Sequence, residues 1–355
     1  MSMGRLSPTW ILLFILAALL CACDGAESSK PVPQTIHEDD LSILLQRGDA
    51  DHCEVYVSPE MPEHESFLCR QRDGYHYRVD IPHDDIHAAV IMLHGADMDA
   101  AAMRAMTLIN TEPGRLDNIL MIVPSSRNYP VFTRVRLWNG SGERAPGDNG
   151  CCVDNGLDDR EFIKLLAMAL EESLPRVPRF LVGLSNGGML ALDLMFNESF
   201  GFGEYFILMG SDQTRERIRS TLPGAVTLVV VRDDEVVPFF GGEIAHTTRL
   251  QFINADNPLV IAPPFSQTLE KIKEWKSCDH EADMEAAPLD QGSILRFACA
   301  DGPLTVLEIA QGGHWMGSES LAARTPQRRE VIGLVLDHID TVLSLPSPFF
   351  LSRHE

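Results

Sequence analysis

Short apolar runs recur along the chain and are bounded by turn-forming residues. They cover residues 88–94, 118–124, 179–184, 205–210, 226–231 and 304–310. Continuous apolar runs of this length, rich in β-branched residues, are typical of strands that are buried on both faces. We therefore predict a buried strand at each of these positions.

The segments between the runs favour helices. Apolar residues return at helical spacing over 158–174, 187–196, 265–276 and 328–345. Asp158 and Asp159 stand where carboxylates suit a helix N-terminus. Strands that alternate with helices indicate an α/β fold, with a mostly parallel sheet covered by helices on both faces.

The first residues have a different pattern from the rest of the chain. Residues 1–22 combine one arginine, an apolar run and small residues, which is typical of a secretory signal peptide. The sequence LCAC at 20–23 resembles the lipobox of bacterial lipoproteins, which implies a lipid on Cys23 and a membrane anchor; secretion without a lipid is the alternative. We expect a polar tether over 23–50 and a single domain over 51–350.

Net charge narrows the classes of partner. The chain has 355 residues and a formal net charge of −22, so nucleic acid is an unsuitable partner because its phosphates would be repelled.

We expect no metal and no cofactor. The acidic loop at 147–159 does not follow the ligand spacing of an EF-hand, and the cysteines form no CxxC pairs.

The cysteines beyond the signal peptide are even in number, which suits disulfides in an exported protein. Proximity along the chain favours Cys53–Cys69 and Cys278–Cys299 as pairs. Two cysteines are left, either as a vicinal bridge or paired elsewhere: Cys151 and Cys152.

A cluster of glycines follows the run at 179–184. The sequence FLVGLSNGGMLAL at 180–192 places Ser185 in a G-x-S-x-G pattern between a predicted strand and a predicted helix. Such a nucleophile elbow exposes a serine hydroxyl above the sheet edge, and glycines let the strand and helix backbones approach closely. A glycine-rich turn with an idle serine is the alternative.

A serine nucleophile needs a base, and the base needs an orienting acid. In α/β-hydrolases the chain order is serine, acid, histidine. His314 lies between glycines just past the last predicted strand, where a loop can present its imidazole. Asp233 and Asp234 follow the preceding strand, and Asp212 follows an earlier one, so the pattern alone does not choose the acid.

The oxyanion of an acyl-transfer intermediate needs two backbone N–H donors. We expect one from Asn186, directly after the serine, and one from Ala96, in the turn that follows the strand at 88–94. His94 precedes the serine and lies in this turn, so a structural role suits it better than that of a base.

Several motifs together resemble a secreted α/β-hydrolase family that includes polyhydroxybutyrate depolymerases and feruloyl or acetylxylan esterases. They are LHGADMDA, WNG…CC…LDDREFI, VGLSNGGMLA, DDEVVPFFGG and GGHWMG, and the resemblance spans about residues 75–320. It implies an α/β-hydrolase fold and a serine esterase with Ser185, Asp234 and His314 as its triad. Asp234 is chosen because the family's acid stands four residues before a proline, here Pro238.

The chain departs from the family pattern at the rim of the site. Glu235 stands where the family commonly has proline, and Trp315-Met316-Gly317 replaces Thr-Trp-Pro. Trp138 and Trp315 are candidates for the substrate pocket, and packing is their alternative role. The resemblance implies a polyhydroxyalkanoate, feruloyl or acetyl ester as substrate. A serine peptidase of the same fold and a non-catalytic envelope binding lipoprotein are the alternatives.

Overall fold

A computed structural model describes most of the predicted domain. The described residues are 50–58, 61–71, 74–109, 114–127, 136–138, 159–197, 201–212, 224–244, 261–279, 281–286, 292–311, 313–314, 335–337 and 339. The predicted signal peptide, the tether apart from Ala50 and most of the predicted helix at 328–345 lie outside them. So do several residues singled out above: Cys23, Cys151, Cys152, Asp158, Trp315, Met316 and Gly317.

The described elements alternate between strands and helices in the central part of the chain. The strands are β1 Ala50–Tyr56, β2 His64–Gln71, β3 His76–Pro82, β4 Ala88–Leu93, β5 Ile119–Ser125, β6 Arg179–Leu184, β7 Glu204–Leu208, β8 Ala225–Val231, β9 Gly242–Glu243, β10 Ile261–Ala262, β11 Asp283–Ala286, β12 Gly292–Phe297 and β13 Leu304–Ile309. The helices are α1 Ala100–Ile109, α2 Asp159–Ser173, α3 Asn186–Asn197 and α4 Phe265–Lys276.

One large sheet organises these elements. Its strand order is β1-β2-β3-β5-β4-β6-β7-β8-β13-β12-β11. The neighbours from β5 to β13 are all parallel, and the strands outside them are antiparallel. The six parallel strands correspond to the six apolar runs of the sequence. The order and the strand–turn–helix at Ser185 are those of an α/β-hydrolase, so the predicted fold class is confirmed.

The core lies on both faces of the parallel strands. Along β4, Ile91 and Leu93 join one apolar cluster while Val90 and Met92 join the other, because successive side chains of a strand point to opposite faces. Residues of α2, α3 and α4 belong to the first cluster, and residues of α1 belong to the second. Both faces are thereby covered by helices, which explains why these strands have continuous apolar sequences.

Two disulfides lie at opposite parts of the sheet. Cys53 and Cys69 are opposite each other on β1 and β2, and they are bonded. Cys278, just after α4, is bonded to Cys299 in the segment before β13. Both pairs agree with those that proximity favours.

Among the described residues, no helix is both long enough and apolar enough to cross a membrane.

Candidate active site

The turn at Ser185 joins β6 to α3 in a strained backbone conformation. Ser185 has φ +52°, a value that non-glycine residues rarely adopt. A Cβ at Gly183 would lie 2.4 Å from the carbonyl oxygen of Gly187, and a Cβ at Gly187 would lie 2.5 Å from that of Leu93. Both positions therefore require glycine, because the backbones of β4, β6 and α3 meet here.

The structure brings the serine, a histidine and an aspartate into one hydrogen-bonded row. The Nε2 atom of His314 lies 3.0 Å from the Oγ atom of Ser185, and its Nδ1 atom lies 2.8 Å from an Oδ atom of Asp234. All three side chains are buried. A carboxylate only accepts, so Nδ1 carries the proton and Nε2 is free to accept the hydroxyl proton of Ser185.

The carboxylate of Asp234 is oriented by its own loop. Its other oxygen accepts the backbone N–H groups of Val236 and Val237, each at 2.8 Å. The two rival acids face other partners. Asp233 accepts a backbone N–H of the loop before His314, and Asp212 pairs with Lys271 at 3.1 Å. Among the three aspartates considered from sequence, the imidazole thus meets only Asp234 in the described structure.

His94 fixes the turn that carries Ala96. Its Nδ1–H donates to the carbonyl oxygen of Gly95 at 2.7 Å, and its Nε2 accepts the N–H of Ser126 at 3.1 Å. Burial lowers the pKa of His94 to about 4, so the ring stays neutral and can do both. In a trans peptide the C=O and N–H point in opposite directions, so the N–H of Ala96 is aimed away from this imidazole.

Trp138 connects the Ala96 turn to the serine turn. Its indole is fully buried, packs at a tilt against His94 with ring centroids 4.7 Å apart, and donates its Nε1–H to the carbonyl oxygen of His94 at 2.9 Å. Its backbone N–H donates to the side-chain oxygen of Asn186 at 2.7 Å, and its carbonyl accepts the amide of Asn186 at 3.3 Å. This position favours the packing alternative for Trp138 over contact with a substrate.

The N–H of Asn186 lies at the first position of α3. The first N–H groups of a helix have no partner within the helix, and they favour negative charge. With its side chain held by Trp138, Asn186 keeps this end of the helix next to Ser185. Gly95, which precedes Ala96, lies near the serine, since a Cβ at this glycine would be 3.5 Å from the Cβ of Ser185. Both segments that carry the predicted donors therefore adjoin Ser185, and the oxyanion role of Ala96 and Asn186 stays a prediction.

An apolar cleft lies beside the acid. It has a volume of about 20 Å³, room for about one water molecule, and its lining includes Asp234, Met209, Val237, Phe239 and Phe265. Among the described residues, no group of three or more His, Cys, Asp or Glu side chains is arranged to hold a metal ion.

Comparisons with known proteins contribute little beyond this geometry. No family model matches the sequence, and no curated protein matches it. A carboxylesterase from Mesorhizobium loti is 11% identical with a TM-score of 0.42, covering 76% of this chain and 98% of its own. An alpha/beta hydrolase from a deep-sea metagenome library is 10% identical with a TM-score of 0.42, covering 84% and 100%. SOBER1 of Arabidopsis thaliana is 14% identical with a TM-score of 0.44, covering 72% and 100%. At these values the likeness assigns no activity, which must be argued from the site.

Proposed function

We propose that this protein is a serine hydrolase that cleaves carboxylic esters. The observation that carries the proposal is a set of three buried, hydrogen-bonded side chains. The Oγ atom of Ser185 lies 3.0 Å from Nε2 of His314, and Nδ1 of His314 lies 2.8 Å from an Oδ atom of Asp234. Nucleophile, base and orienting acid at hydrogen-bonding distances are the arrangement that activates a serine for acyl transfer.

Each residue has a definite role in the proposed reaction. His314 accepts the hydroxyl proton while the Oγ of Ser185 attacks the ester carbonyl. The N–H groups of Ala96 and Asn186 stabilise the oxyanion, and Asp234 keeps the imidazole in its working tautomer. The imidazolium then returns the proton to the leaving alcohol. Water attacks the acyl-enzyme with His314 again as the base, so this chemistry needs no cofactor.

The substrate class follows from the resemblance noted in the sequence. It supports a polyhydroxyalkanoate, feruloyl or acetyl ester. The bonded pairs Cys53–Cys69 and Cys278–Cys299 suit an oxidising compartment outside the cytoplasm. A lipid anchor on Cys23 belongs to the same proposal, and the mass of the mature N-terminal peptide tests it.

A covalent probe tests the activity. A fluorophosphonate should label the wild type and fail to label Ser185→Ala, while Ser266→Ala, which changes an exposed serine on α4, should label normally. Rates are then compared on p-nitrophenyl esters, methyl ferulate, acetylated xylan, polyhydroxybutyrate and a peptide amide. A wild type that is not labelled would support a non-catalytic binding protein, and faster cleavage of the amide would support a peptidase.

A further inference from the structure

Three consecutive carboxylates converge on the loop that presents His314. Asp233 accepts the backbone N–H of Gly313 at 2.9 Å, Asp234 accepts the Nδ1–H of His314 at 2.8 Å, and Glu235 accepts the backbone N–H of His314 at 2.9 Å. The middle carboxylate is buried, whereas its two neighbours are exposed. All three come from the turn that follows β8.

The contact between Glu235 and the loop is close. Gly313 has φ +61°, and a Cβ at this position would lie 2.8 Å from the carboxylate of Glu235. Glycine thus serves two needs here, since it permits the left-handed backbone and leaves room for the acid. An exposed acid contributes little through a surface ion pair, but a hydrogen bond from a backbone N–H to an ionised carboxylate is among the stronger ones.

We propose that Asp233 and Glu235 are positioning residues that hold the backbone of residues 313–314, so that the imidazole stays between Asp234 and Ser185. The proposal rests on the proposed function and adds to it two residues outside the row of three. Proline, which the resembling family commonly has in the place of Glu235, carries no carboxylate. The resemblance therefore does not account for the bond that Glu235 accepts from His314.

The expected effect falls on turnover. A misplacement of about 1 Å in a catalytic group can lower a rate by about 100-fold, and loss of one of two clamping bonds permits a smaller shift. We expect Asp233→Ala and Glu235→Ala each to lower kcat by about tenfold with KM within about twofold. Because the two acids hold adjacent residues of one segment, kcat of the double variant should fall by more than the product of the two single falls.

Amide variants separate the hydrogen bond from other effects of the side chain. Asp233→Asn and Glu235→Gln keep an oxygen that can accept the same N–H, so each should retain kcat within about threefold. Glu308→Ala is the matched control, since it removes a carboxylate from β13 that pairs with Arg232 and does not touch the loop at 313–314. Its kcat should equal that of the wild type.

Hydrogen exchange provides a readout that does not need activity. In Asp233→Ala the amide of Gly313 should exchange at least about tenfold faster, and in Glu235→Ala that of His314 should do so, with unchanged exchange in the core strands. Unchanged exchange and unchanged kcat in the alanine variants would overturn the proposal. So would an effect on KM alone, or amide variants whose kcat falls as far as that of the alanine variants. If the alanine variants exchange faster but the wild type shows no hydrolase activity, the positioning role stands and the proposed function is refuted.

Discussion

Trp138→Phe tests whether a buried indole positions the oxyanion donors. The change keeps an aromatic ring against His94 and removes the Nε1–H that donates to the carbonyl oxygen of His94 at 2.9 Å. The backbone of Trp138 still holds the side chain of Asn186, so only the turn with Ala96 loses one of its supports, while the bonds of the His94 ring remain. Of the two expected donors, this variant therefore perturbs one.

The size of the effect follows from the site's burial. A buried acceptor left without a donor costs about 1–3 kcal/mol, and the smaller ring adds a cavity, so the free energy of unfolding should fall by about 2–4 kcal/mol. Complete loss of an oxyanion donor lowers kcat by about 10²–10³-fold. Since the N–H of Ala96 is displaced and not removed, we expect a fall of about tenfold in kcat with little change in KM.

The assay measures kcat, KM and urea unfolding with the best ester substrate. Trp275→Phe is the matched control, because Trp275 lies on α4 and packs edge-on against Phe196 with ring centroids 5.5 Å apart. It should lose stability while keeping kcat. A Trp138→Phe enzyme with normal kcat and a KM raised several-fold would refute this reasoning and restore Trp138 to the substrate pocket.

Three further changes test other parts of the structure. Asp234→Asn should lower kcat by about 10⁴-fold because the imidazole takes the wrong tautomer, whereas Asp212→Asn should lose little; the reverse result would place the acid on the earlier strand. Burial lowers the pKa of Lys276 to about 8, whereas the same lysine has a pKa near 10.5 in the unfolded chain. Between these values the unfolded state binds more protons, so the free energy of unfolding rises with pH by up to about 3 kcal/mol. Lys276→Met should flatten that rise when urea unfolding is compared at pH 7 and 10. Replacing Cys278 and Cys299 by serine should lower the free energy of unfolding by roughly 3 kcal/mol, and an unchanged unfolding midpoint would argue against this bond.

The sequence predicts the parallel strands better than the rest of the sheet. β4 to β7 are buried at every position, so their continuous apolar sequences are distinctive. The antiparallel strands at the edges were not predicted, because exposed and half-exposed positions interrupt their apolar residues. β12 illustrates this, since most of its residues are only half-buried. The helix α1 also has no matching prediction.

In the candidate site, too, the sequence predicts the residues that belong to local patterns better than the contacts between distant parts of the chain. The turn at Ser185 is a local pattern, and the chain order then indicates His314 without any knowledge of distance. The bonds of Trp138 join residues 44 and 48 positions apart, and those of Asp233 and Glu235 join residues 80 and 79 positions apart. No spacing rule predicts such contacts, since they arise only once the sheet brings these loops together.

The two sides of the candidate site are held by different kinds of group, and this should separate folding from turnover. His94, Trp138 and Asn186 support the oxyanion side through buried bonds, so changing them leaves unsatisfied polar groups in the core. Asp233 and Glu235 support the histidine through exposed carboxylates, so water can replace either acid as acceptor and the loss of stability stays below that of an unsatisfied group in the core. Variants on the first side should therefore lose stability and kcat together, while alanine variants on the second should lose kcat at nearly constant stability. Equal losses of stability on both sides would show that the acids serve the fold and not the placement of the imidazole.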